Sequence, residues 1–352
     1  MSRFFTESLK ALQPYVPGEQ PQDMQYIKLN TNESPFPASP KAVAAITGQE
    51  VEKLRLYSDP ACKDLIEAIA ARNGISPRQV MVGNGSDEVL AFALRAFCDE
   101  DTPLAFSDIT YGCYKVWCGL FDLPTKIIPL GEDFTVPLEA YSDLGCTIML
   151  TNPNAPTGLC LTVEQIEQVV RANPANVVIV DEAYIDFGGE SCLPLIEKYD
   201  NLLVVQTYSK SRNLAGARLG FAMGCPALIE DLNRIKFSFN PYNVNRLTCL
   251  AGAAAMEDEA YFKQCTDAIK ENRAWTAAQL EEMGFELTDS KTNFLFARSS
   301  RMGGEELYLA LKKKGILVRH FNSPRIADRL RITVGSRSEM EALVAALKEL
   351  GA

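Results

Sequence analysis

A single histidine, His320, is all the imidazole the chain can offer a metal ion, and none of its ten cysteines stands in a CxxC pair. The first shortage excludes a His-based metal centre. Cys113 and Cys118 come nearest to a pair, at a spacing that fits neither zinc nor a redox motif. Basic charge is also scarce. Lysine and arginine number 35 against 45 acidic residues, a net charge of −10, with no basic stripe or lysine-rich tail to hold a nucleic acid. No run approaches the roughly 20 apolar residues of a membrane span. The N-terminal stretch "MSRFFTESLKALQPYVPG" lacks a long apolar core and carries Glu7 and Lys10, so no signal peptide is expected. The cysteines then read as reduced core residues of a cytoplasmic protein without a bound metal.

What is present is ordinary in bulk and specific in pattern. Hydrophobic residues make up 47% and charged residues 23% of the 352, enough to bury a large core. From about residue 60 to 240, short β-branched runs alternate with helical spacing: "QVMVG", "TPLAFS", "TKIIPL", "CTIMLT", "NVVIVDE" and "NLLVVQT" read as strands. "TVEQIEQVVRAN" reads as a helix that Thr162 and Gln165 cap reciprocally. This alternation predicts an α/β fold, a mostly parallel sheet with helices on both faces. After residue 258 the texture changes to α+β. The expected organisation is an irregular N-terminal arm (1–30) packing on the small domain or a dimer partner, a large α/β domain (31–257) and a small C-terminal α+β domain (258–352).

Four polar clusters fall at predicted strand ends, where open α/β sheets bind ligands. "VGNGSDEV" (82–89) is a strand, a glycine turn and a helix start, suited to a phosphate or simply a tight turn that Asp87 caps. In "VVIVDEAY" (177–184), Asp181 follows four apolar residues and needs a positive partner or solvent. "TYSKSRNLAGARLG" (207–220) gathers Thr207, Ser209, Lys210 and Arg218 around small residues. A lysine in a dry site has its pKa lowered and becomes nucleophilic, and an arginine beside two hydroxyls can clamp a phosphate. "TNPNAPTG" (151–158) is by itself only a turn. Together, a phosphate cradle, a carboxylate, a lysine and a phosphate clamp meet the requirements of pyridoxal 5'-phosphate.

With "LNTNESPFPASP", "LYSDP", "TYGCY", "TNFLFA" and "LRITVG" in the same order, the chain resembles the fold type I pyridoxal-phosphate enzymes of the aspartate-aminotransferase type, and among them the histidinol-phosphate aminotransferases. The likeness covers nearly the whole chain. It implies that Lys210 holds the cofactor and shuttles a proton, that Asp181 pairs with the pyridine nitrogen, and that Tyr184 bonds the ring hydroxyl. Tyr111 would stack on the ring. Gly85, Ser86, Asp87, Thr207, Ser209 and Arg218 would surround the cofactor phosphate, with Tyr57 reaching it from the other subunit of a homodimer. Arg331 would grip a substrate carboxylate, with Arg319, Tyr15 and Asn32 completing the substrate site. Taken singly, the three tyrosines could be packing aromatics and the two arginines could face solvent.

The sequence departs from the family at two places. Ala155 stands where the family has the asparagine that bonds the ring hydroxyl, and Ser34 stands where it often has asparagine. Either Asn154 takes over through a shifted loop, or Tyr184 carries that bond alone. The expected reaction is transamination of histidinol phosphate with 2-oxoglutarate. An aromatic or broad-range aminotransferase and a threonine-phosphate decarboxylase are the alternatives within the fold. A metabolite-sensing regulator would normally add a DNA-binding segment, which is not seen, and would not need Lys210.

Overall fold

The computed structural model describes residues 2–352. After an irregular arm come strand β1 (Ile27–Lys28) and helices α1 (Pro40–Ala45), α2 (Gly48–Glu52) and α3 (Lys63–Asn73). Next are β2 (Val80–Gly83), α4 (Ser86–Phe97), β3 (Leu104–Ser107), α5 (Cys113–Phe121), β4 (Thr125–Ile128) and β5 (Thr147–Thr151). Helix α6 (Val163–Ala172) leads to β6 (Val178–Asp181), β7 (Leu202–Thr207) and β8 (Gly220–Gly224). Helices α7 (Pro226–Phe239), α8 (Arg246–Met256) and α9 (Glu259–Glu282) follow. The chain ends through β9 (Phe285–Leu287), β10 (Phe294–Ser299), α10 (Gly304–Lys313), β11 (Ile316–Leu317), β12 (Arg319–His320), β13 (Arg329–Thr333) and α11 (Arg337–Leu350).

Seven strands form the main sheet in the order β2-β8-β7-β6-β5-β3-β4. Strand β8 runs against its neighbours β2 and β7, and the other pairs are parallel. Alternate residues of each strand enter different cores. Val178, Val180, Leu202 and Val204 pack with Leu65, Ile166 and Ala251 of α3, α6 and α8. Ile179, Leu203 and Val205 pack instead with Leu90, Tyr114 and Leu232 of α4, α5 and α7. Burial on both faces explains why these strands read as unbroken apolar runs. The Thr162–Gln165 capping box forms at the start of α6, as the sequence predicts.

The second layer is a four-stranded antiparallel sheet, β12-β13-β10-β9. Leu295, Leu330 and Ile332 turn one of its faces to Leu280, Leu311 and Leu343 of α9, α10 and α11. Phe294 and Phe296 turn the other way and pack with Tyr184 and Ile109 of the large layer. The stretch "ILVRHF" is not one strand. It breaks at Val318, so β11 pairs with β1 while β12 pairs with β13. The arm is therefore regular at its end, and Leu29 sits in the smaller core. Further out, Glu19 accepts bonds from Tyr308 and Lys312 of α10. Among the described residues, no helix is long and apolar enough to cross a membrane.

Candidate active site

Strand polarity decides where chemistry can gather. Strands β2, β3, β5, β6 and β7 all end on one edge, and the residues that follow them meet beneath the smaller sheet. There they line a cleft of about 390 Å³. Thr151, Asp181 and Thr207 are the last residues of their strands, and Thr151 and Asp181 are register partners. The loop after β7 is closed at its base by the Thr207–Gly220 rung and by the Tyr208 amide donating to Leu219 O. Lys210 and Arg218 project from that loop into the cleft.

Asp181 is 3% exposed, yet among the described residues no cation forms an ion pair with it. The Tyr114 hydroxyl donates to its Oδ2 at 2.6 Å, and the Ala183 amide donates to its Oδ1 at 3.2 Å. Burial raises its pKa to about 6; these two donors oppose the rise, Asp87 adds to it and Lys210 reduces it. A buried carboxylate left without a counter-charge in a cleft is poised for a cationic ligand. The Lys210 Nζ reaches Thr31 O at 3.3 Å and lies 5.9 Å from the Tyr184 ring centroid. Its pKa falls to about 8, first through desolvation, then through the Arg331 guanidinium, with Glu33 and Asp87 pulling the other way.

The opposite end of the cleft is built for an anion. Helix α4 opens on Ser86, with Gly85 at its cap in the left-handed region (φ 88°). A Cβ on Gly85 would stand 2.7 Å from the Arg218 Nη2, and a Cβ on Gly220 would stand 2.2 Å from the Ser86 amide nitrogen. Both glycines therefore let β8 and the Arg218 side chain approach the helix start, where backbone N–H groups and the helix dipole attract phosphate. Arg218 donates to Asp87 Oδ2 at 3.2 Å and to Ser209 Oγ at 3.5 Å. Tyr111 donates to Asp87 Oδ1 at 3.0 Å; burial, then Asp87, pushes its pKa up, so the phenol stays protonated.

The arm and the smaller sheet supply the third wall. Arg319 and Arg331 are register partners across β12 and β13, and both line the cleft. Cross-strand partners share a face, so the solvent-facing reading of these arginines fails. Arg331 donates to Asn30 O at 3.1 Å, and its buried Nε has no partner among the described residues. Arg319 is held by Val16 O and Pro17 O. Tyr15 lines the same cleft 6.1 Å from the Tyr111 ring.

One expectation needs correction. Asn154 does not replace the missing asparagine: its Nδ2 donates to Ile109 O and Thr157 Oγ1, bracing its own loop, and the neighbouring Ala155 lines the cleft instead. The donor at Tyr184 is Asn32, whose Nδ2 lies 2.9 Å from the tyrosine hydroxyl. Asn32 is fixed from its other side, because the Thr333 hydroxyl donates to its Oδ1 and accepts from its backbone N–H, both at 3.0 Å. Tyr184 therefore accepts from Asn32 and keeps its own proton free to donate into the cleft. Tyr57 is absent from the cleft of its own chain. It is 78% exposed and stacks on Tyr242 at 4.4 Å between ring centroids. Tyr114 and Thr151 were missed by the sequence reading, although Tyr114 stands only three residues after Tyr111.

The residues fit a ligand with a ring cation, a ring hydroxyl, an aldehyde and a phosphate: Asp181 awaits the cation, Tyr184 faces the cleft, Lys210 offers an amine and the α4 start offers donors. The comparisons agree with that chemistry. A histidinol-phosphate aminotransferase of Marinomonas sp. (strain MWYL1) is 52% identical over 99% of this chain and 100% of its own. Histidinol-phosphate aminotransferase 2 of Dechloromonas aromatica is 51% identical, with 99% of each chain covered. The crystal structure of histidinol-phosphate aminotransferase from Sinorhizobium meliloti, in complex with pyridoxal-5'-phosphate, superposes with a TM-score of 0.89 at 25% identity, covering 100% of this chain and 98% of that one. L-threonine-O-3-phosphate decarboxylase from Porphyromonas gingivalis shares the fold at a TM-score of 0.78 and 20% identity, covering 92% and 99%. The family model "Aminotransferase class I and II" matches residues 24–347, and the chain belongs to that family.

Proposed function

We propose that this aminotransferase uses pyridoxal phosphate to exchange the amine of histidinol phosphate with 2-oxoglutarate. The observation that carries the reading is the pairing of Arg319 with Arg331 above Lys210 and Asp181 in one cleft. Two guanidinium groups side by side can take a phosphate from one substrate and a carboxylate from the other. The names of the relatives at 52% and 51% identity support the same substrate.

Each residue would have a defined task. When bound, pyridoxal phosphate supplies an aldehyde for the substrate amine and a ring that withdraws electrons from Cα. Asp181 would hold a proton on the ring nitrogen, regaining the counter-charge it lacks. Lys210 would anchor the aldehyde carbon and, once displaced, carry the proton from Cα to C4′. Its lowered pKa suits that work near neutral pH. Tyr184 would donate to the ring oxygen, its hydroxyl oriented by Asn32 in place of the asparagine replaced by Ala155. Tyr111 would cover the ring, and Ser86, Thr207, Ser209 and Arg218 would hold the phosphate.

The same reading takes the enzyme to be a cytoplasmic homodimer in which Tyr57 reaches the partner's phosphate. Exposed Val43, Leu54, Tyr57, Phe239 and Tyr242 support an apolar contact surface, and ten free thiols suit a reducing compartment. The proposed division of the chain remains 1–30, 31–257 and 258–352. The test is incubation of purified protein with histidinol phosphate and 2-oxoglutarate. Glutamate formation with a clear preference over aromatic amino acids is expected. Its absence, or release of CO₂ from threonine phosphate, would defeat the assignment.

A further inference from the structure

Away from the cleft, two thiols face each other. Cys62 Sγ and Cys249 Sγ are 3.7 Å apart, at the start of α3 and in the first turn of α8. Both line a surface cavity of about 110 Å³, bounded also by Asp59, Lys63 and Arg246. Cys62 is the cap residue of the 11-residue helix α3; its side chain makes no capping bond, and its S–H reaches Asp59 O at 3.5 Å. Lys236, an almost fully buried lysine whose Nζ donates to Pro60 O at 3.0 Å, adds a positive charge nearby. The S–H of Cys249 stabilises a Cys62 thiolate first of all, and Lys236 assists. Burial and Asp59 act against them, yet the Cys62 pKa is lowered and that of Cys249 is raised. One thiol is thus a nucleophile and the other stands within reach to resolve it. The segment between Tyr57 and Cys62 is otherwise tied to α8 and the turn before it by two bonds, Arg246 to Tyr57 O at 3.3 Å and Ser58 to Val244 O at 2.7 Å.

We propose that Cys62 and Cys249 form a reversible disulfide when the protein meets a peroxide, stapling the Tyr57 segment to α8. The Cys62 thiolate attacks one peroxide oxygen, becoming a sulfenic acid and releasing hydroxide, which takes up a proton as water. The sulfur of Cys249 then displaces the sulfenic hydroxyl and loses its proton, giving the disulfide and a second water. Two thiols are oxidised and one peroxide is reduced. To reach the bond length of about 2.05 Å the sulfurs must close by less than 2 Å, within the range of side-chain rotation. The inference stands independently of the substrate assigned above.

The experiment is peptide mapping without reductant of the full-length protein before and after hydrogen peroxide. Two of the ten thiols should be lost per chain, with one new peptide joining Cys62 to Cys249, and dithiothreitol should restore both. Amide exchange in residues 56–62 should slow in the oxidised form. In Cys249→Ser, Cys62 should accumulate as a sulfenic acid that dimedone traps. A map lacking the Cys62–Cys249 peptide, a bridge between other cysteines or between chains, or unchanged exchange in 56–62 would overturn the proposal.

Discussion

Lys210→Met tests the electrostatics of the cleft directly. The lysine is held in a site that disfavours its charged form, so the ligand-free fold bears a cost that methionine, of similar length and apolar, does not. A fall from 10.5 to about 8 corresponds to about 3 kcal/mol at 1.36 kcal/mol per pH unit. The cleft leaves this side chain partly open to water, which reduces the effect, so about 2 kcal/mol is the realistic expectation. Below pH 8 both folded and unfolded chains carry the proton and the fold bears the whole cost. Between pH 8 and 10.5 the unfolded chain holds the extra proton, and wild-type stability rises with pH; above 10.5 the cost is gone. Denaturant melts of the ligand-free proteins should therefore show Lys210→Met more stable at pH 7, with the advantage vanishing near pH 10.5. The same substitution should abolish turnover. An advantage that does not change with pH, or a variant less stable at pH 7, would refute the reasoning.

Three further outcomes follow from other parts of the site. The Asp181 carboxyl titrates near 6 rather than 3.8, so the folded chain holds the extra proton in that window and ligand-free stability falls as pH rises through it. Asp181→Asn should flatten that slope, worth about 3 kcal/mol, and weaken cofactor binding, both read from melts at pH 4 and 7 with and without cofactor. Gly220→Ala would drive a Cβ against the Ser86 backbone; cofactor affinity should drop at least about tenfold, roughly 1.4 kcal/mol, by equilibrium dialysis. Asn32→Ala removes the bond that orients Tyr184; turnover should fall about fivefold, in keeping with about 1 kcal/mol for one hydrogen bond, and the pH midpoint of the cofactor's visible band should move upward.

Most of the framework could be read along the chain because its signals are local. Runs such as "VVIVD" and "LLVVQT" are apolar on both faces, and the polar residue that ends each run marks the sheet edge where ligands bind. Lys210, Asp181, Arg218 and Ser86 were legible for that reason. Contacts between distant segments were not. Asn32 meets Tyr184 across 152 positions and Tyr114 meets Asp181 across 67, and nothing local in either stretch announces the partner. Asn154 failed differently: adjacent residues in a tight turn point in different directions, so proximity to Ala155 said nothing about which way its amide faced. Arg319 and Arg331 lay in alternating stretches whose two faces look alike until the sheet is docked on the cleft.

The loop closed by the Thr207–Gly220 rung fixes more than the position of one lysine. Amine and guanidinium hang from the same short circuit, so they shift together or not at all. One residue added or removed between them would change the span by up to about 3.5 Å, more than a hydrogen bond can stretch, while every strand kept its register. On the proposed reading, the distance from the reacting carbon to the anchored tail would then be measured out in peptide units.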